Sequence, residues 1–159
     1  MKNQLQEQEK SLRNPALLQK GENSTENTPG KEVGINRKME EEIYKHVLFQ
    51  LEVKKVYLDA SLTLVKFSSI VGTNTTYLSN TVNRRFGVNL KGLINRYRVE
   101  EAKRLIQEGG DQTDMGEVIR KCGFSSRSIF YSAFRRETGI SPLKYLTRMV
   151  VEDYIKKSE

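Results

Sequence analysis

Apolar residues recur at intervals of three and four through most of the chain, and no segment has a convincing strand pattern. In the first such stretch, Ile43, Val47 and Leu51 fall on one side of a helix. The acidic run at residues 40–42 lies in its first turn, where the helix dipole favours negative charge. The pattern predicts an all-α fold that begins with an amphipathic helix over residues 38–56.

The chain before this helix has a different composition. Residues 1–37 are rich in Gln, Glu, Asn and Lys, and the segment from Gly21 to Gly30 offers no large apolar side chain for a core. We therefore expect a disordered polar tail over residues 1–37.

The rest of the chain contains an internal repeat. Gly72 and Gly123 each follow a short helical pattern, and Gly87 and Gly139 each follow a longer one, 15 and 16 residues further on. The equivalent positions are Tyr77-Leu78 with Ile129-Phe130, and Arg84-Arg85 with Arg135-Arg136. Two helices joined by a sharp turn form a helix-turn-helix, which the sequence predicts over about residues 63–87 and again over about 114–139.

Capping residues and apolar spacing complete the helical pattern. Asn74 or Thr75 can cap the longer helix of the first copy, and Asp114 with Glu117 forms a capping-box pattern at the start of the second. The positions expected to face a core are Leu64, Phe67, Ser68, Val71, Tyr77, Leu78, Thr81, Val82 and Phe86 in the first copy, and Met115, Val118, Ile119, Cys122, Ile129, Phe130, Ala133 and Phe134 in the second.

A long helix is predicted to connect the two copies. Its apolar series runs over residues 90–107, which at 1.5 Å per residue is roughly 26 Å. Ser141 and Pro142 then form the start of a last helix that continues to about Val150. Residues 151–159 are a C-terminal extension in this prediction.

Charge is concentrated in the repeat. The chain has 159 residues, enough for one ordinary domain or two very small ones, and a formal net charge of +7. No acid occurs from Ala60 to Val99 or from Val118 to Arg136, and these stretches contain six and five bases. The rest of the chain is therefore net acidic, and the basic stretches indicate an anionic partner.

The outward faces of the two longer helices carry hydroxyl, amide and guanidinium groups without carboxylates. Such groups can enter a DNA major groove without repelling phosphate. An ordinary solvated face would instead mix Glu with Lys. These outward residues are Thr75, Thr76, Ser79, Asn80, Asn83 and Arg84 in the first copy, and Arg127, Ser128, Tyr131, Ser132 and Arg135 in the second.

Several short stretches match one family. They are Leu62-Thr63-Leu64, Val71-Gly72, Tyr77-Leu78-Ser79, Tyr97 to Ile106, Gly123-Phe124-Ser125, Phe134-Arg135-Arg136 and Thr138 to Pro142. On these residues the chain from Tyr57 to Met149 resembles the DNA-binding domain of the AraC-type (AraC/XylS) bacterial transcription regulators. It departs from the usual family pattern at Val82, Phe86 and Gly92.

The resemblance implies two helix-turn-helix units whose recognition helices enter successive major grooves of double-stranded DNA, about 34 Å apart. It further implies an activator, for which RNA polymerase is the expected protein partner. Because the two copies differ in sequence, we expect one protomer to read an asymmetric site. Carried over by position, it gives base-reading roles to Thr76, Ser79, Asn80, Arg127, Ser128 and Ser132. It gives phosphate-binding roles to Arg84, Lys91, Arg96, Arg135 and Lys144.

Other kinds of chemistry have little support. His46 and Cys122 are the chain's lone histidine and cysteine, so we expect no zinc site, no internal disulfide and no catalytic constellation. We expect an inert buried thiol at Cys122, no cofactor or small-molecule effector, and a soluble, cytoplasmic, monomeric protein that is not an enzyme. The alternative is a protein-interaction module that binds a polymerase subunit or another regulator through the helix near residues 39–51 or through the tail. Whether the chain acts alone or is the output end of a larger regulator stays open.

Overall fold

The computed structural model describes residues 37–158, which form helices and short connections with no strand among them. This confirms the all-α prediction. The described residues divide into two compact units: unit 1 contains residues 37–55 and 63–93, and unit 2 contains residues 56–62 and 94–158. The predicted disordered tail lies outside the described residues except for Arg37, which is the first residue of a helix.

Unit 1 consists of an N-terminal helix and the first helix-turn-helix. Helix α1 spans Arg37–Leu48 and continues as a π-helical turn over Phe49–Val53. Helices α2 and α3 span Leu64–Val71 and Thr75–Phe86, and α4, Leu90–Gly109, begins in this unit.

The ends of α2 and α3 follow from local chemistry. Thr63 Oγ1 accepts a hydrogen bond from Lys66 N, and Asn74 Oδ1 accepts one from Tyr77 N. Each helix ends at a glycine in the left-handed region, a conformation that side chains with a Cβ disfavour. These are Gly72, with φ of 79°, and Gly87, with φ of 67°.

The core of unit 1 is lined by one face of each helix. Its buried apolar residues include Ile43, Val47, Leu51, Phe67, Val71, Leu78, Val82 and Phe86. The prediction that Leu64 faces inward is wrong: it is 36% exposed, because it is the first residue of α2 and the buried part of this helix begins only at Phe67. Thr81 is fully buried, and its Oγ1 has no hydrogen-bond partner within the described residues.

Unit 2 holds the second helix-turn-helix and the C-terminal helix. After a 3-10 turn at Gly110–Gln112, α5 spans Met115–Lys121, α6 spans Arg127–Thr138 and α7 spans Pro142–Ser158. Helix α7 runs through residue 150 without a break, so the predicted extension continues this helix. None of the helices within residues 37–158 has the length and apolar content to span a bilayer.

Capping again fixes the helix starts in unit 2. Asp114 Oδ1 accepts a hydrogen bond from Gly116 N, and Ser126 Oγ accepts one from Ile129 N. The Asp114 cap is as predicted, whereas the Glu117 side chain forms an ion pair with Lys121.

The core of unit 2 is built around phenylalanines. The ring of Phe130 lies 5.2 Å from that of Phe124 and 5.6 Å from that of Phe134. Helix α4 contributes Val99, Ala102 and Ile106 to the same cluster. The inward prediction for Ile129 is wrong: it is 42% exposed, because the core-facing positions of α6 are Phe130, Ala133 and Phe134.

The segment Val56–Leu62 also belongs to unit 2, where a buried arginine binds it. Arg98 Nε donates to the carbonyl oxygen of Tyr57 at 2.6 Å, and Nη2 donates to that of Asp59 at 2.9 Å. Gly123 also approaches this segment closely, since a Cβ added to it would lie 2.5 Å from the carbonyl oxygen of Leu58. Arg98 therefore supports the fold, although the sequence suggested only that it contributes to a basic stretch.

Candidate nucleic-acid interface

The outward side of α3 forms the first candidate surface, which we call the first reading face: Thr76, Ser79, Asn80 and Asn83. Thr76 and Asn83 are exposed, and Ser79 and Asn80 are partly exposed. The opposite side of α3 is closed by the core, since Leu78, Thr81 and Val82 are fully buried. These four residues present short hydroxyl and amide groups, and the exposed cation Arg84 follows Asn80 by four residues on the same helix.

The basic end of α3 is paired with acids of α1. Glu40, which is 9% exposed, receives a hydrogen bond from Arg85 Nε at 2.8 Å, and its other oxygen lies 3.5 Å from Arg84 Nη1. Arg85 also donates to Glu41 at 2.8 Å, and its guanidinium lies 5.0 Å from the ring centre of Tyr44. The acids of α1 therefore bind the basic end of α3 in addition to lying near the start of their own helix.

This pairing bears on the predicted phosphate contact of Arg84. Its side chain is 59% exposed, so it is accessible, but part of its charge is compensated by Glu40. No local sequence pattern indicates this ion pair, because the two residues are more than forty positions apart along the chain.

The outward side of α6 forms the second reading face: Arg127, Ser128, Tyr131, Ser132 and Arg135. All are exposed except Tyr131, which is partly buried. The C-terminal half of this face and the start of α7 line one shallow open cavity, whose lining residues are Tyr131, Ser132, Arg135, Arg136 and Ser141. Unlike the first reading face, this surface carries guanidinium groups beside its hydroxyls.

Arg127 and Tyr131 contact each other one helical turn apart. Arg127 Nη2 donates a hydrogen bond to the Tyr131 hydroxyl at 3.0 Å, and its guanidinium carbon lies 4.9 Å from the ring centre. The Tyr131 ring meets the buried Phe130 edge-on at 5.5 Å. The four-residue spacing of these two residues on one helix is the sequence signal that could have indicated the contact.

The remaining predicted phosphate contacts differ in their surroundings. Lys91 and Lys144 are exposed in the first turns of α4 and α7. The side chain of Arg96 is only 11% exposed, and its Nε lies 3.4 Å from a carboxylate oxygen of Glu137. The charge of Arg96 is thus compensated within unit 2.

The two residues considered for other chemistry are accounted for by packing. Cys122 is fully buried in unit 2, as predicted, and burial raises the pKa of its thiol to about 12. In unit 1, His46 Nδ1 lies 3.2 Å from the carbonyl oxygen of Val71. Within the described part of the chain, no group of three or more His, Cys, Asp or Glu side chains could hold a metal ion.

Comparison with known proteins assigns the repeat to a family. A helix-turn-helix domain family model matches residues 67–148, which is just over half of the chain. The probable transcriptional regulator LumQ of Photobacterium leiognathi is 32% identical over 89 residues, which cover 56% of this chain and 35% of LumQ.

Solved structures share the fold. The C-terminal domain of AraT, a response regulator from Geobacillus stearothermophilus, matches with a TM-score of 0.58 at 20% identity, covering 67% of this chain and 84% of that domain. A transcriptional regulator with an AraC-type DNA-binding domain, from Chromobacterium violaceum, matches with a TM-score of 0.56 at 18% identity, covering 72% and 96%.

The chain belongs to the AraC-type helix-turn-helix family of DNA-binding domains. The matched region spans about a third of the length of LumQ. Helix α1 and the segment Val56–Leu62 precede the residues that the family model matches.

Proposed function

We propose that the chain is a sequence-specific regulator of transcription that binds double-stranded DNA as a monomer in the bacterial cytoplasm. It inserts α3 and α6 into successive major grooves. The observation that carries the proposal is the repeated helix-turn-helix whose two reading faces contain no carboxylate. Membership of an AraC-type family supports DNA as the ligand.

The two reading faces have separate roles in this proposal. Hydroxyl and amide groups recognise several bases, and a guanidinium group favours guanine. Base reading is assigned to Thr76, Ser79 and Asn80 of the first reading face, and to Arg127, Ser128 and Ser132 of the second. Because the two sets differ, one protomer reads an asymmetric site.

Phosphate binding is assigned chiefly to Lys91, Arg135 and Lys144. All three are exposed cations. Arg84 makes a weaker contribution because Glu40 compensates part of its charge, and Arg96 contributes least because Glu137 faces it. Bound to DNA in this way, the protein activates transcription by contacting RNA polymerase, the role that the family resemblance implies.

The test is selection of bound duplexes from a random pool at about physiological salt, followed by a salt titration on the selected site. We expect an asymmetric motif with two informative blocks about one helical turn apart. The logarithm of the binding constant should fall with the logarithm of salt concentration with a slope of about −5 if about six phosphates are neutralised. A salt-independent response or the absence of an enriched motif would contradict the proposal and favour the interaction module.

A pair of variants separates base reading from net charge. Arg127→Ala should relax the preference at one base pair and weaken binding by about 1 to 3 kcal/mol. Lys157→Ala removes the same charge from an exposed side chain in the last turn of α7, where Lys157 forms an ion pair with Asp153. This control variant should leave the selected motif unchanged. Equal weakening on every sequence by Arg127→Ala would make Arg127 a phosphate contact.

A further inference from the structure

The second reading face contains a residue whose role the family assignment leaves open. Tyr131 is partly buried, and its ring packs against the core of unit 2 by meeting the fully buried Phe130 edge-on at 5.5 Å. An aromatic ring fixed in this way has few orientations, so its hydroxyl and its outer face are held in place.

Arg127 is bound to both of these groups. One of its amino groups donates a hydrogen bond to the Tyr131 hydroxyl at 3.0 Å, and its guanidinium carbon lies 4.9 Å from the ring centre. An exposed arginine at the first position of a helix would otherwise sample many rotamers and lose that freedom on binding. The stacked contact removes part of this cost before DNA arrives.

We propose that Tyr131 is a positioning residue that holds the Arg127 guanidinium for base recognition, and so sets the sequence specificity of the second reading face. This inference rests on the proposed function. A guanidinium has five donors, and the contact uses one amino group, so the other donors stay available for a guanine edge.

The internal repeat supplies a comparison within the same chain. The positions of α3 that correspond to Arg127 and Tyr131 are Thr75 and Ser79. These side chains can form neither the stacked contact nor a bidentate hydrogen bond to guanine. The proposal therefore places the sharper base discrimination in the half of the operator that α6 reads.

The experiment compares two substitutions at Tyr131 with a matched control. Tyr131→Phe removes only the hydroxyl, and Tyr131→Leu also removes the aromatic face. The control is Tyr145→Phe in α7. Like Tyr131, Tyr145 is partly buried and meets a core residue edge-on, in this case Phe134 at 5.5 Å. Its hydroxyl is also hydrogen-bonded to another side chain, that of Gln107. Each variant is measured for unfolding free energy and for affinity to the selected operator and to its single-base variants.

We expect discrimination at the base pair read by Arg127 to fall about fivefold in Tyr131→Phe, the worth of one hydrogen bond. It should fall by about tenfold or more in Tyr131→Leu, where the cation–π contact is also lost. Discrimination at the other positions should be unchanged, and Tyr145→Phe should change none. In an Arg127→Ala background, Tyr131→Leu should have no further effect on specificity, a result that a purely structural role would not give.

Other outcomes would overturn the inference. Unchanged specificity in both Tyr131 variants would show that Arg127 needs no support, and tighter binding by Tyr131→Phe would show that the tyrosine holds Arg127 away from DNA. Equal loss at every base pair, in step with lost stability, would reduce Tyr131 to a packing residue. If the unmodified protein selects no DNA motif, the proposed function itself fails, which is distinguishable from a motif that is insensitive to Tyr131.

Discussion

Substitution of Gly123 by alanine tests how tightly the segment Val56–Leu62 is held in unit 2. Gly123 has a φ of 76°, which costs an L-residue about 1 to 2 kcal/mol. The added Cβ would also lie 2.5 Å from the carbonyl oxygen of Leu58 and 2.8 Å from that of Tyr57. These are backbone atoms, so the segment itself must move.

The expected cost follows from what that movement disturbs. The segment is bound by two hydrogen bonds from the Arg98 guanidinium, at 2.6 and 2.9 Å. A hydrogen bond to a charged group contributes about 1.5 to 3 kcal/mol to stability. Weakening the two Arg98 hydrogen bonds therefore adds to the conformational cost of the positive φ at position 123. We expect Gly123→Ala to lower the free energy of unfolding by about 4 kcal/mol or more.

Gly139→Ala is the matched control. Gly139 lies in the same unit with a φ of 79°, and a Cβ there would meet nothing within 4 Å. Gly139→Ala should lower the free energy of unfolding only by the conformational cost of a positive φ, about 1 to 2 kcal/mol. Both variants are compared by urea denaturation followed by far-UV circular dichroism. Equal destabilisation of the two proteins would refute the close approach of Gly123 to the segment.

Three further predictions concern other sites. Glu40→Gln should lower the unfolding free energy of the protein by about 1.5 to 3 kcal/mol, since Arg84 and Arg85 lose a buried carboxylate partner. The same substitution should steepen the salt dependence of DNA binding by up to about 1 unit of slope, because Arg84 becomes available for phosphate. An unchanged slope would show that Arg84 is not a phosphate contact. Thr81→Val should raise the unfolding free energy by about 1 kcal/mol, because it removes a buried hydroxyl that lacks a partner within the described residues, and a lower melting temperature would contradict this. Burial raises the pKa of Cys122 to about 12, above its value of about 8.5 in the unfolded chain. The stability that the neutral thiol contributes should therefore be complete below about pH 8.5 and fall as pH rises towards 12. Thiol titration should find the native group unreactive, and Cys122→Ala should make the stability of the protein less dependent on pH in this alkaline range.

The sequence predicted those features that depend on neighbours along the chain. Residues within about one helical turn are sufficient to predict the helix-ending glycines at positions 72, 87, 123 and 139, the Asp114 cap and the outward side of α3. For the start of α3 they left two candidate caps, Asn74 and Thr75, of which the structure has Asn74. Apolar periodicity was sufficient to assign most core positions. It was wrong for Leu64 and Ile129, which lie in the first turns of their helices.

The features that the sequence did not reveal depend on residues far apart in the chain. Arg98 and its acceptor Tyr57 are 41 positions apart, and Arg85 and Glu40 are 45 apart. The acid-free stretches alone do not show which of their arginines and lysines are free to bind an anionic ligand. The structure shows that Arg85 and Arg98 instead stabilise units 1 and 2.

The path of the chain through unit 2 has a consequence for where the protein can be cut. The chain leaves unit 2 after residue 62 and returns to it at residue 94, so residues 63–93 are inserted within that unit's sequence. The family match begins at residue 67, after the segment that Arg98 and Gly123 hold. A fragment cut at the limits of the match would leave the Arg98 guanidinium buried without its two carbonyl acceptors. A fragment that keeps these contacts of the DNA-binding domain must therefore begin before residue 56.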